Sequence, residues 1–257
     1  MAADPPAPLG LVGYSAAAAR ALREFGLLAF NLPERDLGEL LPAALTLGLS
    51  GVLVHPSQEE SAYAACLPDD AARQAGRVDA VSLIGGAFGG QALGSHSLAE
   101  ALSDAVLAAR YAALGSSALM VGHGADLAAA LPLTRLGFSQ VSFVADSPDT
   151  ARRLCAEVPA GVKTYAVSRH DAAAQSLAER ADLVVLTAGA LPGRWLQPFH
   201  MVLDLTGRLN TAASGATALD LSALAGLRLA RQLAHVTGQR YRPEDIDELA
   251  RVLLLPA

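Results

Sequence analysis

Lysine and cysteine are scarce in this chain of 257 residues. Lys163 is the single lysine among 19 basic residues, so a reaction that needs a lysine has one candidate. It opens a predicted strand, where we expect a solvated surface charge. Cys66 and Cys155 lack the spacing of metal ligands, which favours buried free thiols over a metal site.

Long apolar runs and an excess of positive charge are also missing. No run reaches the ~18 apolar residues that a membrane span needs, and residues 1–8 have no basic stretch before an apolar one, so we expect no signal peptide. The formal net charge of −6 argues against nucleic-acid and anionic membrane partners. A hydrophobic content of 52% with 17% charged residues is typical of a packed globule, and we expect a cytoplasmic one.

Short apolar runs alternate with helical patterns through the first half of the chain. Connections of this length between strands indicate crossovers and a mostly parallel sheet. A glycine-rich run at 85–90 is typical of a hairpin or loop, and a long helix is predicted at 98–114. The predicted strands are 10–13, 27–30, 51–54 and 80–84, and the predicted helices are 16–25, 36–47 with Asp36 as N-cap, 59–66 and 69–74.

The second half continues the alternation and then changes. Five strands in this rhythm complete a doubly wound sheet by about Leu205. Two amphipathic helices at 220–236 and 243–254 follow with no strand between them. They could cap the second sheet or cross back to the first half, and we favour the crossing because the second sheet is already complete. The five strands are 118–121, 141–144, 162–167, 183–186 and 201–205, with helices at 148–157 and 172–180.

A Gly-x-Gly turn at Gly122 and Gly124 separates a buried strand from a predicted helix at 125–136, which Gly137 caps. A second strand follows, and Asp146 lies just past its end. This is the layout of a dinucleotide-binding βαβ unit, in which glycines admit a pyrophosphate to a helix N-terminus and an acid holds a ribose.

These elements and the residues between them resemble the shikimate dehydrogenase family over nearly the whole chain. The family's G-x-x-V-T-x-P-x-K segment corresponds to 51–58, its A-V-N-T segment to 80–83 and its G-x-N-T-D segment to 94–98. Its nucleotide motif G-A-G-G-A-A corresponds to 122–127. The resemblance implies an α/β protein of two lobes, a mostly parallel α/β substrate lobe and a Rossmann-like doubly wound nucleotide lobe, with the C-terminal helices returning to the first. The expected boundaries are 1–98 plus about 220–257 for the first lobe, 115–210 for the second, and 98–114 for a linking helix.

The chain departs from the family at the positions that bind and convert the substrate. Gln58 replaces the catalytic lysine and Leu98 the catalytic aspartate, and neither side chain can exchange a proton. Ser82 replaces the family's asparagine, and Arg228 replaces the glutamine of its last helix. The family's Ser-x-Ser carboxylate clamp has no counterpart near residue 15. Together these changes indicate a different pocket.

Three residues are candidates to replace what is lost. His55 and His96 fall in the family's substrate segments and could exchange protons near neutral pH, or they could be polar residues that line a partly filled cleft. Arg228 could bind the carboxylate of a small-molecule ligand, or it could be an exposed helix arginine.

The cofactor segment is altered as well. Asp126 lies in the first helical turn, where an acid suits the helix dipole but repels a pyrophosphate, and Leu127 is bulkier than the expected glycine or alanine. The family's N-R-T segment corresponds to 145–147, so Asp146 replaces its arginine and Ser147 follows. An acid at this position favours NAD over NADP, although Asp146 could instead be an N-cap. The resemblance therefore implies NAD or NADP as cofactor, with NAD favoured, or neither of them.

Two functions stay open on these residues. One is an active oxidoreductase of this family that acts on a small hydroxy acid. The other is a non-catalytic relative that binds a dinucleotide, a metabolite or another enzyme. In both cases we expect no normal shikimate dehydrogenase activity, and the sequence does not indicate an oligomeric state.

Overall fold

The computed structural model describes residues 8–33, 36–85 and 90–254. Residues 1–7 and most of the predicted loop at 85–90 lie outside this range. The chain divides into two compact units, the first formed by residues 1–101 and 223–257 and the second by residues 102–222. Within the described ranges, no helix has the length and apolar character needed to cross a membrane.

The described residues form twelve strands and ten α-helices. The strands are β1 (Leu9–Val12), β2 (Ala29–Asn31), β3 (Gly51–Val54), β4 (Leu67–Pro68), β5 (Ala80–Ile84), β6 (Gln91–Ser95), β7 (Ser117–Val121), β8 (Gln140–Ala145), β9 (Lys163–Ser168), β10 (Leu183–Leu186), β11 (Met201–Asp204) and β12 (Thr217–Ala218). The helices are α1 (Ala16–Glu24), α2 (Leu37–Thr46), α3 (Glu59–Ala65), α4 (Asp70–Ala75), α5 (Leu98–Ala108), α6 (Gly124–Ala128), α7 (Pro148–Ala156), α8 (Ala172–Ala178), α9 (Leu224–Thr237) and α10 (Pro243–Leu253).

The first unit contains a six-stranded mixed sheet in the order β2-β1-β3-β5-β6-β4. Strand β1 runs parallel to both of its neighbours, whereas β5 is antiparallel to β3 and to β6. Strand β4 pairs in parallel with β6. Strands β4 and β6 were not predicted, because β4 has only two residues and β6, Gln-Ala-Leu-Gly-Ser, lacks both an apolar run and a clean alternation.

The two C-terminal helices belong to the first unit, as predicted. Helix α9 packs on β3 and β5, and α10 packs on α9 and α1. The contact is close at Gly51, where an added Cβ would lie 2.6 Å from the Cβ of Val236. Leu229 and Leu233 of α9 share one apolar core with Leu11 of β1 and with α10. This packing brings polar side chains of α9 against the sheet.

The second unit is a doubly wound sheet of six parallel strands, which confirms the predicted Rossmann-like fold. The strand order is β12-β11-β10-β7-β8-β9. Strands β8 and β9 are added on one side of β7, and β10 to β12 on the other, so the strand order reverses between β7 and β10. In open parallel sheets, ligands bind at such a reversal, outside the carboxyl ends of the strands.

Two predicted helices are shorter in the structure. The helix predicted at 125–136 is split into α6 and a 3-10 turn at Leu131–Leu136, because Pro132 has no N–H to continue the α-helical ladder. The helix predicted at 98–114 ends as α5 at Ala108. Arg110 has a φ of +56°, and the N–H groups of Arg110 and Tyr111 donate to carbonyls of the last turn, which closes the helix.

Candidate functional site

The carboxyl ends of β1 and β3 bring several sequence-predicted residues together in the first unit. Gly13 has a φ of +75°, and an added Cβ would lie 3.0 Å from His55 Cβ and 3.2 Å from Gln58 Cγ. The His55 Nδ1 lies 2.9 Å from Ser57 Oγ, and its ring meets that of Tyr14 edge-on at 5.3 Å. Gln58, which the resemblance aligns with a catalytic lysine, therefore lies close to His55.

Arg228 of α9 lies at the centre of a buried cluster of charges. Its Nε donates to Asp79 Oδ2 at 3.0 Å, and its Nη2 donates to Glu59 Oε1. The other oxygen of Asp79 accepts the backbone N–H of Ser97 at 2.9 Å. Gln232, one turn along α9, is 3.4 Å from the Asp79 carbonyl. Arg228 is thus held by two carboxylates of this chain, an arrangement that neither of the two sequence-based interpretations includes.

His96 joins the same cluster from the end of β6. It is 2% exposed, and its Nε2 lies 3.8 Å from Glu59 Oε2. Of the two histidines considered as substitutes, His96 is therefore buried within the cluster, and His55 is half-buried on the loop after β3. A cavity of about 30 Å³, lined in part by Tyr14, Pro56 and Arg228, separates this loop from α9 and has room for about one water molecule.

Burial and the neighbouring charges shift the pKa values in the cluster. Burial raises the pKa of the Glu59 carboxyl, against the opposing effect of Arg228. Burial lowers the pKa of His96, against the carboxylate of Asp79, so the imidazole is neutral at pH 7. Burial also raises the pKa of Tyr14. Burial by itself would lower the pKa of Arg228, but the carboxylates of Asp79 and Glu59 outweigh this effect and raise the pKa above its ordinary value.

Glu59 and Asp79 are the two residues that the sequence analysis missed. Glu59 begins α3, where Glu60 follows it, and Asp79 precedes β5 as an isolated acid. The partner that they share lies more than 140 residues further along the chain. Nothing local in the sequence marks such a pair.

Two other predicted site residues lie elsewhere in the first unit. Ser82 is half-buried on β5, opposite Gly51 of β3. Leu98 begins α5 and is also half-buried. Its apolar side chain stands where the resemblance places a catalytic aspartate.

The Gly-x-Gly turn of the second unit lies at the carboxyl end of β7, where the sheet reverses. An added Cβ on Gly122 would lie 2.0 Å from the Oγ1 of Thr187, which follows β10. The Thr187 N–H donates to the Val121 carbonyl at 2.9 Å and fixes this approach. Gly124 has a φ of +51° and faces open space. The local structure therefore accounts for glycine at both positions without a bound ligand.

The acid after β8 is paired rather than acting as a helix cap. Asp146 Oδ1 lies 3.1 Å from Arg169 Nε, and the Asp146 side chain is 59% exposed. The N-cap of α7 is Ser147, whose Oγ accepts the N–H of Asp149. The alternative interpretation of Asp146 as an N-cap is wrong, because the next residue already fills that position.

The remaining expectations concern the lysine and the cysteines. Lys163 is exposed at the start of β9, with its Nζ 5.7 Å from the centre of the Tyr165 ring. Cys66 and Cys155 are free thiols, but they are half-buried rather than buried as expected. Burial nevertheless raises the pKa of the Cys66 thiol to about 11, so it is a poor nucleophile at neutral pH.

Solved structures of similar fold cover almost the whole chain. One is a shikimate 5-dehydrogenase from Thermus thermophilus in complex with NADP(H) and shikimate, 19% identical, which covers 96% of this chain and 100% of its own with a TM-score of 0.72. Another is a quinate dehydrogenase from Corynebacterium glutamicum in complex with NAD, 19% identical, covering 95% and 98% with a TM-score of 0.73. A third is a ligand-free 5-ketofructose reductase of Gluconobacter sp. strain CHM43, 14% identical, covering 96% and 98% with a TM-score of 0.69.

No protein-family model matches the chain, and no curated protein sequence matches it. The predicted resemblance to the shikimate dehydrogenase family is confirmed at the level of the fold. At these identities the similarity establishes the fold alone, and function depends on the residues of the site.

Proposed function

We propose that this chain is a dinucleotide-binding protein with the shikimate dehydrogenase fold and without normal shikimate dehydrogenase activity. The observation that carries the proposal is the pair of residues Gln58 and Leu98. Gln58 follows β3 and Leu98 begins α5, and neither side chain can exchange a proton as would the lysine and aspartate that the resemblance assigns to these positions.

The surroundings of Arg228 support the same proposal. A substrate carboxylate would have to compete with Glu59 and Asp79 for its guanidinium, and both of these acids are buried and fixed by further contacts. We therefore assign Arg228 a structural role rather than the binding of a ligand.

A dinucleotide is the ligand that the second unit supports best. The turn at Gly122–Gly124 follows the central strand at the point where the sheet reverses, and the carboxylate of Asp146 is exposed past the next strand. Two of the similar solved structures contain NADP(H) or NAD. An exposed acid at this place favours the free ribose hydroxyls of NAD and repels the 2′-phosphate of NADP.

A thermal-shift titration combined with a turnover assay tests this function. NAD at about 100 times its dissociation constant should add roughly 2.7 kcal/mol of stability and raise the melting temperature by about 5–11 °C. Shikimate with NAD or NADP should give no measurable turnover, against the roughly 1–10³ s⁻¹ typical of enzymes. If neither dinucleotide shifts the melting temperature, dinucleotide binding is ruled out. Normal shikimate turnover would contradict the assignment of Gln58 and Leu98.

An oxidoreductase for a different small hydroxy acid is the second candidate, and His55 favours it. Its imidazole is half-buried and oriented by Ser57 and Tyr14, and a histidine can exchange protons near neutral pH. The same assay with quinate and other hydroxy acids separates the two candidates. Turnover that is lost in His55→Gln would favour this candidate over the non-catalytic one.

Replacing Asp146 with asparagine should reduce the preference for NAD over NADP by about tenfold, which corresponds to ~1.4 kcal/mol. The change removes the negative charge that would face the 2′-phosphate and leaves the Arg169 guanidinium without its carboxylate. Calorimetric titration of both dinucleotides measures the ratio. Asp149→Asn is the matched control, because Asp149 is an exposed acid in the first turn of α7 that pairs with Arg152. An unchanged ratio in Asp146→Asn would show that Asp146 does not face the ribose.

A further inference from the structure

The buried cluster of the first unit contains three groups that are common metal ligands. Glu59, Asp79 and His96 each offer one ligand atom, and these three atoms all lie within 4.8 Å of one another. None of the three residues is more than 3% exposed. They converge from the start of α3, the start of β5 and the end of β6.

His96 is the member of this cluster whose contacts are incomplete. Within the described part of the chain, neither of its ring nitrogens has a hydrogen-bond partner. A buried imidazole without hydrogen-bond partners loses its hydrogen bonds to water, and no hydrogen bond within the protein replaces them. Its Nε2 lies 3.8 Å from Glu59 Oε2, a distance too long for a hydrogen bond. A group placed between these two atoms would satisfy both.

We propose that Glu59, Asp79 and His96 form a binding site for a divalent transition-metal ion such as Zn²⁺, Co²⁺ or Mn²⁺. Imidazole nitrogen and carboxylate oxygen are the ligands that these ions share. Two such atoms bound to one tetrahedral ion at ordinary bond lengths lie about 3.4 Å apart. The separation of His96 and Glu59 therefore needs to close by only a few tenths of an ångström.

Arg228 leaves ligand positions on both acids. It takes Oε1 of Glu59 and Oδ2 of Asp79, which leaves Glu59 Oε2, 3.8 Å from His96 Nε2, and Asp79 Oδ1, which also accepts the N–H of Ser97. A carboxylate accepts at about four positions and can bind a donor and an ion together. Arg228 then orients the two carboxylates as an outer-shell partner does in metal sites.

The charge and the access of the cluster also suit a cation. Two carboxylates contact the guanidinium of Arg228, and Arg77 also acts electrostatically on Glu59. A cavity of about 230 Å³ reaches His96, and its lining includes the carboxylates of Asp69 and Glu100 and the guanidinium of Arg231, so acids outnumber strong bases along the path. A dication therefore has both a route to the site and an electrostatic attraction toward it.

Metal titration of tag-free protein, first freed of ions with a chelator, tests the proposal. We expect one Zn²⁺ or Co²⁺ per chain by calorimetry, with visible d–d bands when Co²⁺ binds. His96→Gln should weaken binding at least about 100-fold, because removal of an outer-shell partner already costs about 10- to 100-fold. His235→Gln is the matched control, since His235 lines the same cavity and donates to the Leu93 carbonyl instead. Its binding should stay within about twofold of the unmodified chain.

Three results would overturn the proposal: no binding by the unmodified chain, binding that is retained in a folded His96→Gln variant, or equal loss in the His235→Gln control. If His96→Gln does not fold, as judged by circular dichroism, Glu59→Gln takes its place, because the amide can still accept from Arg228 while a charged ligand is lost. X-ray absorption on the Zn²⁺-loaded unmodified chain gives an answer without any variant. It should show an imidazole nitrogen among oxygen ligands, and a spectrum with oxygen ligands alone would refute the site.

Discussion

Replacing Arg228 with methionine is expected to destabilise the first unit by about 3–5 kcal/mol, the cost of removing one partner from a buried ion pair. Methionine fills a similar volume, but it leaves the carboxylates of Glu59 and Asp79 close together, buried and without the guanidinium that bridges them. Urea denaturation followed by circular dichroism measures the loss. Because only 16% of the Arg228 side chain is exposed, solvent can do little to screen the two acids.

The matched control is Arg231→Met on the same helix. Arg231 pairs with Glu100, but the two side chains are 36% and 59% exposed, so this change should cost only about 0–1 kcal/mol. Equal losses at Arg228 and Arg231 would contradict the assignment of Arg228 to a buried cluster. A large loss at Arg228 with a small one at Arg231 would locate the effect at Glu59 and Asp79.

A combined variant separates the net stabilisation by the ion pairs from the cost of leaving the two carboxylates buried without Arg228. If Arg228→Met is combined with Glu59→Gln and Asp79→Asn, no net charge is left buried, and most of the lost stability should return. A combined variant that is less stable than Arg228→Met alone would mean that the two acids have other partners of equal weight. The groups are in contact, so their effects should not be additive.

The secondary structure was predictable where local signals were strong. Asp36 is predicted to cap a helix, and its Oδ1 accepts the N–H of Gly38 at the start of α2. Buried strands such as β7 and β10 are continuous apolar runs, which suits parallel strands covered on both faces. The points where helices are interrupted were less predictable, because the effect of Pro132 competes with an otherwise helical pattern.

The site was predictable only as a set of positions. The resemblance indicated which residues had been replaced, and in the structure Gln58 follows β3, Leu98 begins α5 and Arg228 lies on α9. It could not indicate the partners of Arg228, because an ion pair between distant segments leaves no periodic or local pattern. The same limit applies to His96, whose burial depends on β6, a strand with no clear sequence signal.

The Gly-x-Gly turn shows how one motif can have two physical causes. Glycine at 122 would admit a pyrophosphate to the backbone, but it also avoids a collision with Thr187. Glycine at 124 would suit a phosphate-binding turn, and it also has a positive φ. Stability and dinucleotide binding must therefore be measured together to separate the two causes.

Gly122→Ala is expected to destabilise the second unit by about 1–3 kcal/mol, as overpacking does elsewhere. The new methyl group would lie 2.0 Å from Thr187 Oγ1, an atom held in place by the backbone bond from Thr187 to Val121. Adding Thr187→Ala removes that oxygen, and the next nearest atoms are the Cβ of residue 187 at 3.3 Å, which has to shift by a few tenths of an ångström, and the Cβ of Leu127 at 3.4 Å. Urea denaturation of the double variant, compared with Thr187→Ala alone, should therefore show most of the loss recovered.

Gly124→Ala is the control, because its cost of about 1–2 kcal/mol comes from the positive φ and no neighbour lies within 4 Å. Thr187→Ala should not rescue it. The double variant at Gly122 and Thr187 then tests dinucleotide binding separately from stability, because its stability is restored while its turn carries the added methyl group. If it keeps the NAD-induced rise in melting temperature, Gly122 serves packing alone. If the rise is lost in this stable variant, the backbone at Gly122 must approach the pyrophosphate, and one glycine then meets both demands.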